Sequence, residues 1–309
     1  MIPPCPPIVY IEPTNACNCQ CTICPRQKMT RPTGMMKMEM FKTIVDESAA
    51  WQPELRLFNF GEPLLHPELG EMIKYARTKG LNPNFQTNGL LLDESRIVAI
   101  LEAGITYFGI SVNGLTEAEY ATIRPGCRMK DIKSNLQLLR TISHRLKKPV
   151  HIHLNAQILA DERNSRKADI QSYVLYWDGI PDSLSVTGIS LFSGVAVMTH
   201  GKNKVVDHAH LPVKAASTVV CTEPFDRLII KWDGRVTACC SDYDAQLVLG
   251  QIGFQTIEEI WNGLSLTDLR DTVMKQRYNS SPLCRSCPKL YSKEFTLLFK
   301  KPPPGRSPG

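Results

Sequence analysis

The sequence of 309 residues lacks a long apolar run, a dense basic block and an amino-terminal targeting pattern. Polar residues interrupt every apolar stretch before it reaches the roughly 18 to 20 residues of a membrane span, so no membrane association is predicted. The start, MIPPCPPIVYIEP, has no basic region ahead of an apolar one, which indicates an intracellular, cytoplasmic protein. The net charge of +6 includes only short lysine pairs, so no nucleic-acid partner is predicted.

Cysteine, in contrast, is abundant, because the chain has 11. Such a count suits a secreted disulfide scaffold only in a much shorter chain that carries a signal peptide. In a reducing compartment the same count indicates metal binding or redox chemistry. Most of the cysteines fall into two groups, at 17–24 and at 221–287. Each group is a candidate metal site.

Between residue 37 and about residue 190, helical stretches alternate with short strands that are apolar throughout. This rhythm predicts an α/β fold with a parallel sheet covered by helices. The rhythm stops at 193–220, and after it two β-rich stretches flank Asp233-Gly234, a strong hairpin signal. We therefore expect a first domain over 1–195, a linker loop over 196–220, a small domain with a hairpin and helices over 221–300, and a disordered tail over 301–309.

The first cysteine group, NACNCQCTICPR, contains Cys17, Cys21 and Cys24 in the spacing C-x3-C-x2-C. Cys19 falls out of this phase and is expected to point away from the metal. Three thiolates from one loop suit an iron-sulfur cluster better than a structural zinc, which takes four protein ligands. A [4Fe-4S] cluster held by three cysteines keeps one iron open for a substrate or cofactor.

This spacing, in a loop after the apolar strand IVYIE, resembles the hallmark of the radical S-adenosylmethionine (SAM) superfamily. FGEPLLHPEL resembles the segment that holds the methionyl amino group of SAM, although Phe60 replaces the usual first glycine, and FQTNGLLL, GISVNG and IRPG resemble later family segments. The resemblance implies a partial (β/α)6 barrel with SAM and a [4Fe-4S] cluster. It implies SAM contacts from Gly61, Glu62, Pro63, Thr87, Asn88, Ser111, Asn113 and Arg124. For the last three, a local turn or capping role is the alternative.

The second cysteine group consists of Cys221, Cys239, Cys240, Cys284 and Cys287. Four thiolates hold either zinc or an iron-sulfur cluster, and their spacing does not choose between the two. The order of a cysteine, a hairpin with G-x4-C, EIWN and a late C-x2-C is similar to the SPASM/twitch extension of radical SAM enzymes that act on aminocyclitols and aminoglycosides. The short twitch form implies one auxiliary [4Fe-4S] cluster on Cys221, Cys239, Cys284 and Cys287, with Cys240 as the alternative to Cys239.

The resemblance implies reductive cleavage of SAM and removal of a hydrogen atom from a small polar metabolite such as a sugar, aminocyclitol or aminoglycoside. Electron loss to the auxiliary cluster gives a ketone, whereas hydrogen return from Cys240 epimerises the carbon. The alternative is that Cys240 has no catalytic role and is a small buried apolar residue of the hairpin. Peptide-modifying members of this group usually carry an additional peptide-binding domain at the amino terminus. Because the barrel here is expected to begin at Ile8–Glu12, a small-molecule substrate is favoured. Polar candidates for the barrel lumen are Asn155, Gln157, Arg124 and Asp242.

Two other interpretations stay open from the sequence. One is radical SAM modification of a peptide or protein side chain. The other is a noncatalytic scaffold with structural zinc in the carboxyl-terminal domain. The catalytic interpretation requires an electron donor such as flavodoxin or ferredoxin. His151 and His153 lie on one face of a strand and are expected to form a satisfied pair in the core or the lumen rather than a metal site.

Overall fold

The computed structural model describes residues 2–159, 167–189, 197–199, 202–204, 221–285, 287 and 295–300. The strands are β1 (Ile8–Ile11), β2 (Glu54–Arg56), β3 (Phe85–Thr87), β4 (Tyr107–Ser111), β5 (His151–Leu159), β6 (Ser183–Ile189), β7 (Val197–Thr199), β8 (Lys202–Lys204), β9 (Arg227–Ile230), β10 (Arg235–Thr237), β11 (Gly250–Gln251) and β12 (Phe295–Lys300). The α-helices are α1 (Met38–Ser48), α2 (Leu69–Thr78), α3 (Glu94–Glu102), α4 (Glu117–Ile123), α5 (Met129–Leu146), α6 (Lys167–Tyr176), α7 (Glu223–Asp226), α8 (Ile257–Trp261), α9 (Leu264–Met274) and α10 (Pro282–Arg285).

Strands β1 to β6 form a parallel sheet in the order of the sequence. Hydrogen-bonded ladders join β1 to β2, and then β3, β4, β5 and β6 in turn. A parallel bridge between Arg56 and Asn84 connects these two halves. Helices α1 to α6 lie in the connections between consecutive strands. This architecture confirms the predicted α/β class and the partial (β/α)6 barrel.

Alternation along the strands separates a helix-covered face from the lumen. Val9 and Ile11 of β1 belong to the core cluster that the helices cover. Because successive side chains of a strand point to opposite faces, Tyr10 and Glu12 lie on the lumen side. One barrel helix, α4, was missed by the sequence analysis, because its seven residues are too few to show a clear helical period.

The carboxyl-terminal segment extends the same sheet beyond β1. Strand β9 pairs with β1 in parallel, from Ile8 opposite Arg227 to Ile11 opposite Ile230. Strand β10 forms the expected hairpin with β9, and β11 adds an antiparallel strand to β10. At the other edge of the sheet, β12 pairs antiparallel with β6. Residues 295–300, which the sequence analysis placed in the small domain, therefore complete the barrel sheet.

The predicted linker contains one regular feature within the described residues, an antiparallel ribbon of β7 and β8. The rest of 196–220 and the predicted disordered tail at 301–309 lie outside the described residues. The boundaries proposed for the two domains stay a prediction. Among the helices that the structure describes, none combines the length and apolar character needed to cross a membrane.

A buried ion pair ties the segment after the first cysteine group to β1 and to the carboxyl-terminal domain. The guanidinium of Arg31 donates to both carboxylate oxygens of Glu12, each at 2.6 Å, and its Nε donates to the carbonyl of Tyr243 at 2.6 Å. Next to it, the N–H of Thr30 donates to Oδ1 of Asp244 at 2.7 Å. The two side chains of the ion pair are 2% and 0% exposed, so water does not screen this pair.

Replacing Arg31 by methionine should lower the free energy of unfolding by about 3 to 5 kcal/mol, because the Glu12 carboxylate stays buried without its counter-charge. The double variant Glu12→Gln/Arg31→Met should recover most of this loss. Arg145→Met is the matched control, since Arg145 pairs with Glu94 on the surface and its loss should cost less than about 1 kcal/mol. Urea unfolding measures all three, and equal losses for Arg31→Met and Arg145→Met would contradict the expectation.

Candidate active site

A cavity of about 210 Å³ lies at the carboxyl ends of the parallel strands, where α/β barrels bind their ligands. The predicted cluster and SAM residues meet in its wall. They are Cys17, Cys21, Cys24, Gly61, Glu62, Thr87, Asn88, Ser111, Asn113 and Arg124. Pro63 is buried behind this wall, where it begins a short 3-10 helix over Pro63–Leu65. The fold therefore gathers residues that the sequence distributes over five segments.

The loop that follows β1 presents the first three cysteines. Gly34 connects the far end of the loop to its start. Its carbonyl accepts from Oγ1 of Thr14 at 2.7 Å, and its N–H donates to Oδ1 of Asn15 at 2.9 Å. Within the loop, the N–H of Cys24 donates to the carbonyl of Cys21 at 3.1 Å. Three thiols beside an open cavity fit a [4Fe-4S] cluster that keeps one iron accessible.

Cys19 is buried and lines the same cavity, so the expectation that it points away from this site is wrong. Hydrogen bonding from its thiol lowers the pKa of Cys17 and of Cys21 to about 6, and raises the pKa of Cys19 itself. Its sulfur accepts from Nδ2 of Asn88 at 3.3 Å and lies 4.0 Å from the sulfur of Cys127. The lowered pKa values favour thiolates, the form that binds metal.

Glu62 is 1% exposed and lies at the centre of the predicted SAM site. Its carboxylate accepts from Oγ1 of Thr87 at 2.6 Å, from the N–H of Asn88 at 2.8 Å and from the N–H of Leu64 at 3.1 Å. An ionised carboxylate has about four acceptor positions, so one remains for a donor such as the methionyl ammonium. Burial raises the pKa of Glu62 to about 7.

The Gly61-Glu62-Pro63 segment packs directly on the cysteine loop. The N–H of Glu62 donates to the carbonyl of Ala16 at 2.8 Å. Gly61 has a φ of 87°, and a Cβ there would lie 2.3 Å from the carbonyl oxygen of Thr14, so only glycine fits. Phe60, which replaces the usual first glycine, lines the cavity and packs edge to face on Tyr243, with 6.3 Å between ring centroids. This departure adds an aromatic wall to the site.

Arg124 is buried in the cavity wall beside Asn88 and Tyr120. Its Nη1 lies 3.5 Å from the carbonyl of Asn88 and 3.5 Å from the hydroxyl of Tyr120. Its Nε is buried and finds no hydrogen-bond partner within the described part of the chain. A buried guanidinium with an unsatisfied N–H is costly, and a ligand carboxylate satisfies it well. Ser111 and Asn113, at the end of β4, complete this polar corner.

The second cysteine group lines a separate pocket, here termed the auxiliary pocket, which contains Cys221, Cys239, Cys284 and Cys287. The N–H of Cys287 donates to the carbonyl of Cys284 at 3.1 Å, the turn also found at the C-x2-C of the first group. Burial raises the pKa of Cys221 to about 12 and that of Cys239 well above its ordinary value. These thiols therefore ionise only when a metal or cluster balances their charge.

The apolar shell of the auxiliary pocket includes Leu247, Leu269 and Val273. Four thiols within an apolar shell fit a fully ligated iron-sulfur cluster shielded from water. Across the residues that the structure describes, no three His, Cys, Asp or Glu side chains form a group that could hold a metal ion.

Cys239 and Cys240, which the sequence leaves as alternatives, face different regions. Cys239 lines the auxiliary pocket, whereas Cys240 is absent from the residues described around it. The charge of Cys240 contributes to the raised pKa of Tyr10, for which burial is the main cause. Tyr10 lies on the lumen side and packs edge to face on Phe58, a cavity residue, with 5.3 Å between ring centroids. The Cys240 thiol is therefore close enough to Tyr10 to interact with it electrostatically.

Polar side chains line the lumen between β5 and β6. His151 and His153 share the hydroxyl of Ser183, each at 2.8 Å, in agreement with the expected satisfied pair. Asn155 donates to the hydroxyls of Ser185 at 2.7 Å and of Thr187 at 3.1 Å. These groups hold one another along the strands.

The predicted lumen residues Gln157 and Asp242 have different surroundings. Gln157 lines the cavity. Asp242 is 1% exposed, and its carboxylate accepts from the N–H of Gln246 at 2.8 Å and of Leu247 at 3.0 Å. Asp242 therefore shapes its own loop, which corrects its assignment as a substrate-facing group.

The sequence analysis missed several residues of the site, among them Asn59 and Gln86 in the cavity wall. It also missed Glu12 and Lys231, both 0% exposed. A signal for these two was present, because each is a charged residue directly after an apolar strand, in IVYIE and RLIIK. The same signal led to Glu62.

Two family models match the chain. The model of the radical SAM superfamily matches residues 11–164. The model of an iron-sulfur cluster-binding domain, SPASM, matches residues 221–288. The two matches contain the first and the second cysteine group respectively.

Similar proteins with assigned names were also found. The chain is 33% identical over 112 residues to Fe-coproporphyrin III synthase of Methanosarcina barkeri, which covers 36% of this chain and only 28% of that protein. It is 21% identical over 290 residues to the S-adenosyl-L-methionine-dependent 2-deoxy-scyllo-inosamine dehydrogenase of Niallia circulans, covering 91% and 92% of the two chains. The crystal structure of BtrN in complex with AdoMet and 2-DOIA has the same fold, with a TM-score of 0.60, 20% identity and coverage of 91% and 92%.

The chain belongs to the radical SAM superfamily. Within the superfamily it is a SPASM/twitch member, because the iron-sulfur cluster-binding domain follows the barrel. SAM, a [4Fe-4S] cluster and an auxiliary iron-sulfur site are accordingly the cofactors of this radical SAM enzyme.

The affinity for SAM should fall as the pH drops through about 7, because the carboxyl group of Glu62, with a pKa of about 7, attracts an ammonium only when ionised. Glu62→Gln should weaken binding about 10- to 100-fold above this pH and remove the pH dependence, since one charge-assisted hydrogen bond of about 1.5 to 3 kcal/mol is lost. Equilibrium dialysis of SAM on either side of neutrality measures both effects. The exposed Glu102→Gln is the control, and a pH step that persists in Glu62→Gln would contradict the assignment.

Proposed function

We propose that this enzyme cleaves SAM reductively, removes a hydrogen atom from a small polar metabolite such as an aminocyclitol or sugar, and oxidises its alcohol to a ketone. An external one-electron donor such as flavodoxin or ferredoxin starts the reaction. The likeness to a protein named 2-deoxy-scyllo-inosamine dehydrogenase, over 91% of the chain, supports the choice of substrate class and reaction.

One arrangement carries the proposal: the auxiliary pocket is built on a strand that pairs with the first barrel strand. Cys221 precedes β9 and Cys239 follows β10, while Cys17 follows β1, which runs parallel to β9. Four strand residues rise about 13 Å, so the two thiol groups flank opposite ends of the same short piece of sheet. This arrangement suits electron exchange between the auxiliary pocket and a substrate in the lumen.

The cysteines at 17, 21 and 24 would hold the first cluster, and those lining the auxiliary pocket would hold the second. When bound, the clusters supply one electron to break the sulfonium of SAM and accept one electron from the substrate after its hydrogen atom is removed. The alcohol thus loses one hydrogen atom, one proton and one electron in total, and the C–O bond becomes a carbonyl.

The protein positions SAM and excludes water. Glu62 has an acceptor position for the methionyl ammonium, and Arg124 has an unsatisfied N–H for the carboxylate. Phe58 and Phe60 form an aromatic wall of the cavity, which limits the access of water to reactive intermediates.

The rest of the cavity suits a hydroxylated or amino-bearing substrate. The amide side chains that line it include those of Asn59, Gln86 and Gln157. Because an amide both donates and accepts hydrogen bonds, these groups recognise hydroxyl and amino substituents.

Epimerisation is the second candidate reaction, and the electrostatic interaction of Cys240 with Tyr10, a lumen-side residue, favours it. A thiol that faces the substrate can return a hydrogen atom to the substrate carbon, after which one electron and one proton restore the thiol. The proximity of Cys240 to Cys239, a residue of the auxiliary pocket, supports such a recovery.

After anaerobic reconstitution, the wild-type protein should contain about eight irons and about eight sulfides per chain, as two [4Fe-4S] clusters require. Replacing Cys17, Cys21 and Cys24 together by alanine should leave about four of each. The matched quadruple variant of the auxiliary pocket should also retain about four, whereas Cys5→Ala should retain all eight. Elemental analysis of iron, sulfide and zinc measures this. If the wild type instead contains about four irons, the triple variant contains none and zinc is retained, the protein has no auxiliary cluster and the dehydrogenase proposal fails.

Cys240→Ala separates the two reactions. If the enzyme is a dehydrogenase, the variant should form ketone from 2-deoxy-scyllo-inosamine within about threefold of the wild-type kcat/KM, because no step requires a thiol donor. Mass spectrometry detects the loss of two hydrogens together with 5′-deoxyadenosine. If the product instead has the mass of the substrate in H2O, gains one deuterium in D2O and is not formed by Cys240→Ala, the enzyme is an epimerase. Activity only on peptides would contradict both.

A further inference from the structure

Lys231 is a buried lysine whose ammonium group lies between the wall of the active-site cavity and the loop that begins at Cys239. It follows β9 and is 0% exposed. Leu228 and Ile230 belong to the helix-covered core, so the alternation of the strand directs Lys231 to the lumen side. Lysine is almost never fully buried unless it is paired, which indicates that its surroundings are built to hold it.

Two carbonyl oxygens hold the ammonium group. Nζ donates to Oδ1 of Asn59 at 2.8 Å and to the backbone carbonyl of Asp242 at 2.8 Å. It also lies 5.4 Å from the ring centroid of Phe60, a distance at which the face of an aromatic ring attracts a cation.

These contacts connect two sites. Asn59 and Phe60 line the active-site cavity. Asp242 lies in the loop that begins at Cys239, and its N–H donates to the carbonyl of Cys239 at 3.1 Å. One ammonium group therefore joins the cavity wall to the loop that carries a cysteine of the auxiliary pocket.

The charges around Lys231 define its electrostatic setting. Burial lowers the pKa of Lys231 most strongly and Arg31 adds to this effect, while the carboxylates of Glu12 and Asp242 and the thiol of Cys239 oppose it.

We propose that Lys231 is a positioning residue whose positive charge, held at the loop that begins at Cys239, makes the auxiliary cluster a better electron acceptor. The inference rests on the proposed function, because it requires an iron-sulfur cluster in the auxiliary pocket. The reduced form of a cluster carries one more negative charge than the oxidised form, so a nearby cation in a water-poor pocket favours reduction. Electron transfer from a substrate radical in the cavity is thereby favoured.

The test is a redox titration of the auxiliary cluster, followed by electron paramagnetic resonance, in the full-length Cys17→Ala/Cys21→Ala/Cys24→Ala variant. In this background Lys231→Met should lower the equilibrium constant for one-electron reduction at least tenfold, equivalent to a potential about 59 mV lower. Lys231→Gln, which keeps a hydrogen-bond donor but no charge, should do the same if Lys231→Met does not fold.

Two variants separate charge from packing. Asn59→Ala removes one hydrogen bond from the same ammonium group but keeps the charge, so the potential should change less than threefold in equilibrium constant. Lys275→Met removes an exposed lysine paired with Asp271 and should leave the potential unchanged.

An unchanged potential in both Lys231 variants, or an equal shift in the Lys231 variants and Asn59→Ala, would overturn the role of the charge while leaving the proposed function intact. If the triple cysteine variant holds no iron, the auxiliary cluster is absent, and the proposed function and this inference both fail. A large shift confined to the Lys231 variants supports the inference.

Discussion

The parallel pairing of β1 with β9 is the contact on which the rest of the site depends. It joins the strand that leads into the first cysteine loop to the strand that supports the auxiliary pocket. Because a hydrogen-bonded ladder fixes the register of both strands, the two thiol groups cannot move independently along them. The barrel and the carboxyl-terminal domain thus share one sheet.

Buried polar groups specify how this junction closes. Arg31 is held by Glu12 of the first strand and by the carbonyl of Tyr243 from the carboxyl-terminal domain, and Lys231 joins Asn59 to Asp242. Removing such charges from water is costly, so buried pairs are poor evidence for net stability. Their directional hydrogen bonds, however, allow few alternative arrangements. Here they align the cysteine loop, the cavity wall and the auxiliary loop.

Local patterns were sufficient to predict the parallel α/β sheet and the two cysteine groups, whereas the partial barrel was implied by the resemblance to the radical SAM superfamily. The alternation of helices and apolar strands predicted the parallel sheet, since fully apolar strands must be covered on both faces. The two cysteine groups predicted two separate thiol sites; the first lies within one loop, whereas the second brings together Cys221, Cys239, Cys284 and Cys287 from three segments. The short helix α4 and strand β12 were missed, since the first is too short for a clear period and the second gains its partner, β6, only in the folded chain.

The sequence by itself determined the chemistry of this protein, because residue types and their short spacings decide which groups can bind metal or SAM. The tertiary structure alone decided which side chains of distant segments meet. Cys239 and Cys240 are adjacent in sequence, yet only the first lines the auxiliary pocket among the residues described there. Asp242 is turned into its own loop, and Lys231 reaches Asn59 across the sheet. Such contacts depend on strand register and chain reversal, which no local spacing encodes.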